Sequence, residues 1–501
     1  MSRSLAFYLS ISVGLAFGQE NPVAKKYASL IKAEALRDNL NIIASDALEG
    51  RYTGSRGQKM AAAFIANHFQ QIGLEAPVNG SYYQTFPLYS NVPGNTYVQV
   101  SGNRYENYGD VLYLEEGNSK GEINTPMVFA GYGRPEDFAQ IDINNKAVLV
   151  LTDNFYEPAQ QKLTEILNIV KKKGAKYFFA LPLTPDSEFN RAADWYKSYS
   201  SNLTMVPEQS EDLGWCYLKS IVAEKIFSKT FAELRVAAKA EPSKKALKKL
   251  KPGNINFQIQ TLSKTISTEN VLGYLSGTDK KDELVIVTAH YDHIGKKPEG
   301  TGDIINNGAD DDGSGTVAVL QMAQAFAEAK KNGVGPRRSI LFMIVTGEEE
   351  GLLGSEYYAE HPIFPLATTV VDLNIDMIGR SLTEFSANKN YLYVIGADKL
   401  SSELHNINEQ MNTLYTHLNF DYKFNDENHP DRLYYRSDHW NFAKNGIPVI
   451  FYFDGIHEDY HRVSDEVSKI DFDLLALRTR CIFFTAWELS NRPERLKIDK
   501  R

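Results

Sequence analysis

From Asn270 onward, short runs rich in β-branched residues alternate with stretches that have a helical pattern. The runs read ELVIVTA, SILFMIVT, VVDLNID and IPVIFYF, and one of the helical stretches reads TVAVLQMAQAFAEAKK. Such alternation is typical of strands that lie side by side in a largely parallel sheet with helices packed against it. The pattern therefore predicts an α/β fold, with a mixed, centrally parallel sheet flanked by helices on both faces.

Metal-ligand side chains stand where the chain should leave these strands. They occur in TAHYDHIG, GADDDGSG, TGEEEGLLGS, LNIDMIG and DYHRVSDE, and are His290, Asp292, Asp310, Asp311, Asp312, Glu348, Glu349, Asp376 and His461. In such sheets, ligands gather at the carboxyl ends of the strands, where His290, Glu348 and Asp376 are expected. Imidazole mixed with carboxylate is the donor set that zinc prefers. The sequence thus predicts one shared site for metal-assisted hydrolysis.

Local geometry gives several of these residues distinct roles. Residues two apart on a strand point to the same side, so Asp292 can accept the ring N–H of His290 and fix its tautomer. Three consecutive aspartates are costly without a cation among them, and their spacing does not fit a calcium loop. Glu348 and Glu349 should diverge after their strand, so that Glu349 binds metal while Glu348 reaches a water as general base.

Two other motifs are similar to signatures of unrelated enzymes. Residues 457–461 spell H-E-x-x-H, which forms a zinc site only where a helix places both histidines on one face. This stretch follows a strand and the Asp454-Gly455 turn, so a helical zinc site is not expected here. Ser437-Asp438-His439 lacks the G-x-S-x-G elbow that presents a nucleophilic serine, and a structural or pocket-lining role is expected.

From about Asn39 to the last helix, these motifs resemble in order and spacing the M28 family of zinc peptidases. The resemblance implies the zinc-peptidase fold and two Zn²⁺ per chain. The implied ligands are His290 and Asp376 for one ion, Glu349 and His461 for the other, and Asp311 as the bridge. Glu348 matches the family's general base, and Tyr460 matches a tyrosine that helps to stabilise the transition state. A cis peptide is implied between Asp311 and Asp312.

The activity implied by the resemblance is that of a zinc-dependent aminopeptidase, which hydrolyses the N-terminal residues of peptides with a water that bridges two metals. Carboxypeptidase or dipeptidase action on the same scaffold stays open. A glutaminyl cyclase, which shares the fold but uses one zinc, and a binding protein with an inactive peptidase fold are further alternatives. The complete set of implied ligands argues against both of these.

Residues 114–262 differ in character from the sequence on either side. TPMVFAGYG, NNKAVLVLTD and ILNIVKKKGAKYFFALP form a β-β-α-β pattern that contains no metal motif. This pattern resembles a protease-associated (PA) domain, a smaller α/β or β-rich module. It would be inserted into the peptidase domain between residues 19–113 and the catalytic residues 263–501. Both a substrate-recruiting role and a purely structural one remain open for it.

The N-terminus and the overall charge restrict location and partners. Arg3 precedes the apolar run Leu5–Phe17, and Ala16-Phe17-Gly18 forms a small-x-small cleavage site, which predicts a signal peptide over residues 1–18. We therefore expect a secreted or periplasmic protein without a membrane span after cleavage. A formal net charge of −9 argues against nucleic acid and leaves a peptide substrate as the expected partner. Cys216 and Cys481 are expected as buried free thiols.

Overall fold

A computed structural model describes residues 19–113, 118–119, 121–156, 159–198, 202–207, 215–239, 243–297 and 301–500. The predicted signal peptide, residues 1–18, lies outside these ranges. The chain divides into two compact units: Met1–Phe86 with Thr268–Arg501 form the first, and Pro87–Ser267 form the second. The second unit includes more residues than the insertion predicted over residues 114–262, because the chain between residues 97 and 113 contributes strands to its sheet.

The first unit begins with the helices α1 (Pro22–Ala28), α2 (Ala33–Ile43) and α3 (Arg56–Gln71), and strand β1 (Tyr83–Pro93) starts in this unit and ends in the second. The Ser55 hydroxyl caps α3 by accepting a hydrogen bond from the Gln58 backbone N–H. Between α2 and α3, Glu49, Gly50 and Arg51 all have positive φ. A Cβ at Gly50 would lie 2.5 Å from two backbone carbonyl oxygens, so glycine is required at this tight turn.

The second unit contains a sheet with a parallel centre. Its elements are β2 (Tyr97–Val100), β3 (Asn103–Glu106), β4 (Val111–Tyr113), β5 (Ile123–Phe129), β6 (Ala147–Thr152), α4 (Ala159–Lys172), β7 (Tyr177–Pro182), α5 (Asp186–Ser198), β8 (Asn202–Thr204), β9 (Trp215–Leu218), α6 (Ser220–Phe227), α7 (Phe231–Lys239), α8 (Ser243–Lys249) and β10 (Gly253–Gln258). The strand order is β3-β2-β10-β5-β6-β7-β9-β4, and neighbouring strands from β5 to β9 in this order are parallel. The short strand β8 instead pairs with residues 89–91 of β1.

The chain then returns to the first unit. The remaining elements are β11 (Thr261–Leu275), β12 (Lys280–His290), α9 (Gly313–Lys331), β13 (Arg338–Val345), α10 (Leu353–Glu360), β14 (Thr369–Ile375), β15 (Tyr391–Ile395), α11 (Ser402–Tyr415), β16 (Asn419–Asp421), α12 (His439–Ala443), β17 (Val449–Phe453) and α13 (Phe472–Asn491). The sheet order is β16-β15-β17-β14-β12-β13-β11-β1. Strands β17, β14, β12 and β13 are parallel, whereas β11 and β15 run antiparallel to their neighbours β13 and β17. The predicted mixed sheet with a parallel centre is confirmed.

Helices cover both faces of this sheet, as predicted. Along β12, Val285, Val287 and Ala289 belong to the core that includes the buried sides of α9 and α13. Leu284 and Ile286 belong to the opposite core, which includes side chains of α10 and α12. Successive strand residues point to opposite faces, so a strand that is apolar throughout must be covered on both. Each buried valine, leucine or isoleucine side chain contributes about 1.5–3 kcal/mol through burial.

Two further expectations concern the cysteines and the membrane. Cys216 and Cys481 are both buried free thiols, one in each unit, as the sequence predicts. Among the helices of the described residues, none is long and apolar enough to cross a membrane.

Candidate metal centre

The carboxyl ends of the parallel strands meet at one edge of the first unit's sheet. His290 ends β12, and its Cα pairs with that of Val345, which ends β13. Thr288 pairs with Asn374 of β14, so Asp376 leaves β14 beside His290. The loops after β13 and β17 carry the remaining candidates, Glu348, Glu349 and His461. The register of the sheet thus brings together residues that are far apart in the sequence.

His290 faces three carboxylates. Its Nε2 atom lies 3.4 Å from Asp311 Oδ1, 3.6 Å from Asp376 Oδ1 and 3.8 Å from Glu348 Oε2. This nitrogen is buried and has no hydrogen-bond partner among the described residues. Buried polar atoms are normally hydrogen-bonded. A buried imidazole nitrogen that lacks a partner and is surrounded by carboxylates is therefore consistent with a cation-binding position.

A second group of donors surrounds the other oxygen of Asp311. His461 Nε2 lies 3.2 Å from Asp311 Oδ2 and 2.9 Å from Glu349 Oε2. Asp311 therefore presents one carboxylate oxygen to His290 and the other to His461. A carboxylate in this position can bridge two cations, and the donor set on each side, imidazole with carboxylate, suits zinc.

The neighbours of Asp311 hold the surrounding backbone in place. The peptide between Asp311 and Asp312 is cis, as the resemblance implied. The Asp312 carboxylate accepts hydrogen bonds from backbone N–H groups at 3.1, 2.8 and 3.1 Å, those of His290, Gly315 and Met377. Asp310 is also fully buried and accepts from the Gly379 N–H at 2.7 Å. Burial, together with the nearby Asp376 carboxylate, raises the pKa of Asp312.

Asp292 supports the site differently from the prediction. His290 Nδ1 lies 3.2 Å from the main-chain oxygen of Asp292, whereas the Asp292 carboxylate is 3.7 Å away, beyond hydrogen-bond distance. The carboxylate instead accepts from the Glu348 backbone N–H at 3.3 Å and from the Thr53 hydroxyl at 2.9 Å. The prediction relied on strand alternation, but β12 ends at His290, so the alternation does not continue to Asp292.

Glu348 and Tyr460 face the same pocket as the donors. The pocket is lined by Asp311, Glu348, Asp376, Met377, Leu433, Arg436, Phe451, Phe453, Ile456 and Tyr460. Burial raises the pKa of Glu348, a direction that favours proton uptake. The Tyr460 ring stacks on His461 with their centroids 3.9 Å apart. Burial and nearby carboxylates raise the pKa of Tyr460, so its hydroxyl remains a hydrogen-bond donor.

The H-E-x-x-H stretch does not form a helical zinc site. Residues 458–461 form a turn, in which the Tyr460 N–H donates to the His457 carbonyl, and His461 has φ 56°. His457 Nε2 lies 3.3 Å from Asp310 Oδ2, while His461 faces Glu349. The two histidines therefore contact different carboxylates, as expected from the strand and turn that precede them.

Several residues that contact the donors were missed or left without a role at the sequence level. The Ser437 hydroxyl donates to Asp376 Oδ2 at 2.7 Å, although its motif suggested only structure or pocket lining. His293 Nδ1 lies 2.7 Å from Glu349 Oε1. The position of His293, three residues after His290, was the one available signal for it. The Asp465 carboxylate accepts hydrogen bonds from the backbone N–H groups of Asp310 and Asp311.

Arg51 was also missed, and it connects the end of α2 to both ends of the segment between β12 and α9. Its guanidinium is fully buried and donates to four main-chain carbonyl oxygens at 2.6–3.0 Å, those of Ile43, Tyr291, Asn307 and Gly308. Burial lowers the pKa of Arg51 to about 10, which leaves it protonated at neutral pH. The positive-φ turn after α2 directs this side chain inward, a feature that sequence periodicity does not show.

Taken together, the fold and the grouped donors define an α/β domain with a candidate metal centre. Residues 270–485 match the family model of peptidase family M28. The matched range contains His290, Asp311, Glu348, Glu349, Asp376 and His461.

Two similar curated proteins are named as aminopeptidases. Aminopeptidase Y from Saccharomyces cerevisiae is 27% identical over 46% of this chain and 40% of its own length. Aminopeptidase YwaD from Bacillus subtilis is 25% identical over 67% of this chain and 60% of its own length. The chain thus covers less than two thirds of the length of these curated relatives.

Solved structures share the fold. An aminopeptidase from Aneurinibacillus sp. strain AM-1 aligns with a TM-score of 0.57 at 16% identity, over 95% of this chain and 98% of its own. A zinc aminopeptidase from Bacillus subtilis aligns with a TM-score of 0.51 at 19% identity, over 93% of this chain and 96% of its own. Likeness at these identities establishes the architecture.

Proposed function

We propose that this chain is an exported aminopeptidase that uses two zinc ions. The observation that carries the proposal is the position of Asp311, whose two oxygens face two different donor groups. One group adds His290 and Asp376, and the other adds Glu349 and His461. The zinc aminopeptidase among the similar structures supports zinc as the metal.

Zinc bound between these donors would polarise the scissile carbonyl and make water more acidic. Glu348 takes a proton from the attacking water, whose oxygen forms a bond to the carbonyl carbon. As the C–N bond breaks, Glu348 delivers that proton to the leaving amine. The Tyr460 hydroxyl donates a hydrogen bond to the carbonyl oxygen as negative charge develops on it.

The names of the similar proteins favour a substrate with a free amine. Asp311, Glu348 and Asp376 line the pocket together with Arg436. Zinc held by Asp311 and Asp376 would offset their charges, so the charge of the pocket does not by itself distinguish an N-terminal ammonium from a C-terminal carboxylate. The relatives named as aminopeptidases therefore support aminopeptidase over carboxypeptidase action on the same scaffold.

The deciding experiment compares blocked peptides. We expect hydrolysis of peptides with a free amine and an amidated C-terminus, and no hydrolysis of N-acetylated peptides with a free C-terminus. The opposite preference would indicate a carboxypeptidase. Elemental analysis should give two zinc per chain, and chelation should abolish the activity. One zinc that persists in excess metal, together with cyclisation of N-terminal glutamine, would favour the cyclase.

Two further parts of the proposal concern the rest of the chain. The parallel strands and helices of the second unit support its assignment as a PA-type domain. Export is proposed from the signal-like residues 1–18. N-terminal sequencing of the mature protein should begin at Gln19, whereas an intact Met1 would contradict cleavage.

A further inference from the structure

We propose that His293 is a positioning residue that holds one oxygen of Glu349 and leaves the other oxygen for a metal ion. His293 is not among the ligands considered so far. The inference rests on the proposed two-metal function, which it deepens by assigning how Glu349 binds.

The two oxygens of Glu349 face different histidines. Oε1 lies 2.7 Å from His293 Nδ1, and Oε2 lies 2.9 Å from His461 Nε2. A carboxylate can only accept, so the short contact requires the proton of His293 to be on Nδ1. The distance from His293 Nδ1 to Asp311 Oδ2 is 3.8 Å, too long for a hydrogen bond. His293 therefore bonds to Glu349 and not to the bridging carboxylate.

The surroundings fix the His293 ring in this orientation. Its side chain is fully buried, and that of Glu349 is only 6% exposed. The His293 backbone N–H donates to the Arg51 carbonyl at 3.3 Å. A Cβ at Gly308 would come within 2.6 Å of the imidazole, so the ring occupies space that only glycine leaves free. The ring also meets His461 edge-on, with centroids 5.7 Å apart.

This arrangement favours attachment of Glu349 to metal through Oε2 alone. Since Oε1 is held by the imidazole N–H, it is less available as a second donor, and the carboxylate cannot rotate freely. Removal of a hydrogen-bond partner that orients a metal ligand typically lowers the metal affinity about 10–100-fold. We therefore expect His293 to affect the ion shared by Glu349 and His461 more than the ion near His290.

The test compares His293→Asn with His293→Leu in the full chain. The two replacements have similar size, but only asparagine has an N–H donor near the position of the histidine Nδ1. Metal-free protein is titrated with Zn²⁺ against a chromophoric chelator, which reports affinities without any peptide substrate. We expect His293→Leu to weaken one of two zinc sites about 10–100-fold, and His293→Asn to remain within a few-fold of the wild type.

Controls address folding and non-specific binding. Circular dichroism of the metal-free variants checks the fold, and His293→Ala serves as a second variant without a donor. His361→Asn changes an exposed histidine outside the donor groups and should leave both affinities unchanged.

Three outcomes would overturn the proposal. Unchanged zinc affinity in both His293→Leu and His293→Ala would show that the contact does not matter. An equal loss in His293→Asn and His293→Leu would show that the imidazole is needed as a ligand rather than as a donor. Equal weakening of both sites would indicate a general structural role. If wild-type protein bound only one zinc, the two-metal function would fail, but the asparagine–leucine comparison at that site would still decide the role of His293.

Discussion

Glu348 and Glu349 are consecutive in the chain, but their carboxylates face different histidines. Glu348 Oε2 lies 3.8 Å from His290 Nε2, and Glu349 Oε2 lies 2.9 Å from His461 Nε2. The two residues follow Gly347, whose φ of 73° begins the turn after β13. This turn separates the carboxylates, so their proposed roles can be tested independently.

Glu348→Gln should retain both zinc ions while turnover falls by at least about 10²–10⁴-fold, because only proton transfer is lost. Glu349→Gln should instead weaken one zinc site, because a neutral amide is a poorer zinc ligand than a carboxylate. Added zinc should partly restore Glu349→Gln and leave Glu348→Gln inactive. For each variant, turnover is measured as kcat and metal binding as the zinc content per chain. A reversed pattern of rescue would mean that Glu349 is the base and Glu350 the ligand.

Replacing Arg51 should destabilise the first unit severely. Arg51→Lys cannot supply four carbonyl oxygens with donors, and each buried acceptor left without one costs about 1–3 kcal/mol. We expect the unfolding free energy of this unit to fall by at least about 3 kcal/mol in urea denaturation. Arg56→Lys, at an exposed position on α3, should change it by less than about 0.5 kcal/mol. A comparably small effect at Arg51 would show that the carbonyls find other donors.

His439 should make the protein less stable in acid. Burial lowers the pKa of His439 from 6.5 to about 3, and its Nε2 lies 2.8 Å from the Tyr434 carbonyl oxygen. The pKa of His439 is lower in the folded state than in the unfolded state. The protein therefore has its full free energy of unfolding above pH 6.5 and loses part of it as the pH falls toward 3. The slope is at most about 1.4 kcal/mol per pH unit.

The pH dependence can be isolated with His439→Gln, whose amide N–H can still donate to Tyr434. Denaturation midpoints between pH 4 and 7 should vary less steeply in this variant than in the wild type. The same exchange at the exposed His361 provides the control. Parallel curves for wild type and His439→Gln would contradict the assignment.

Arg436 should influence which N-terminal residues are accepted. It is exposed and lines the pocket beside apolar side chains, among them Leu433, Phe451 and Phe453. Arg436→Met should lower kcat/KM for peptides that begin with glutamate relative to leucine by about two- to fivefold, the size expected for an exposed ion pair. Arg432→Met, at a nearby exposed arginine outside the pocket lining, should not change this ratio. An unchanged ratio in Arg436→Met would remove Arg436 from substrate selection.

The sequence was informative where function depends on local pattern. Apolar strands followed by polar loops predicted the parallel sheet, and the strand ends predicted where His290 and Asp376 would meet. These inferences succeed because burial on two faces and the carboxyl edge of a sheet constrain residue types strongly.

Pattern was less informative for contacts between distant segments. Hydrogen bonds between different loops leave no periodic signal in the sequence. Two examples are the bonds from Thr53 to Asp292 and from Ser437 to Asp376. The role of Arg51 depends on an unusual backbone turn, and the bond of His290 to the Asp292 main chain depends on where β12 ends. The start of the second unit at Pro87 likewise leaves no clear signal, because strands near residue 100 do not reveal which sheet they join.

The discontinuity of the first unit has a consequence for synthesis on the ribosome. Leu36, Leu40 and Phe69 belong to the same core as the side chains of α9 and α13, which are made much later. Translation of the intervening residues 87–267 takes roughly 10–35 s at about 5–20 residues per second. During that interval the nascent helices lack their packing surface, while the continuous second unit can complete its own core. A substitution that delays folding of residues 87–267 would therefore prolong the time during which apolar residues of the nascent chain are exposed. Such a substitution would lower the yield of the folded first unit, although no residue of that unit is changed.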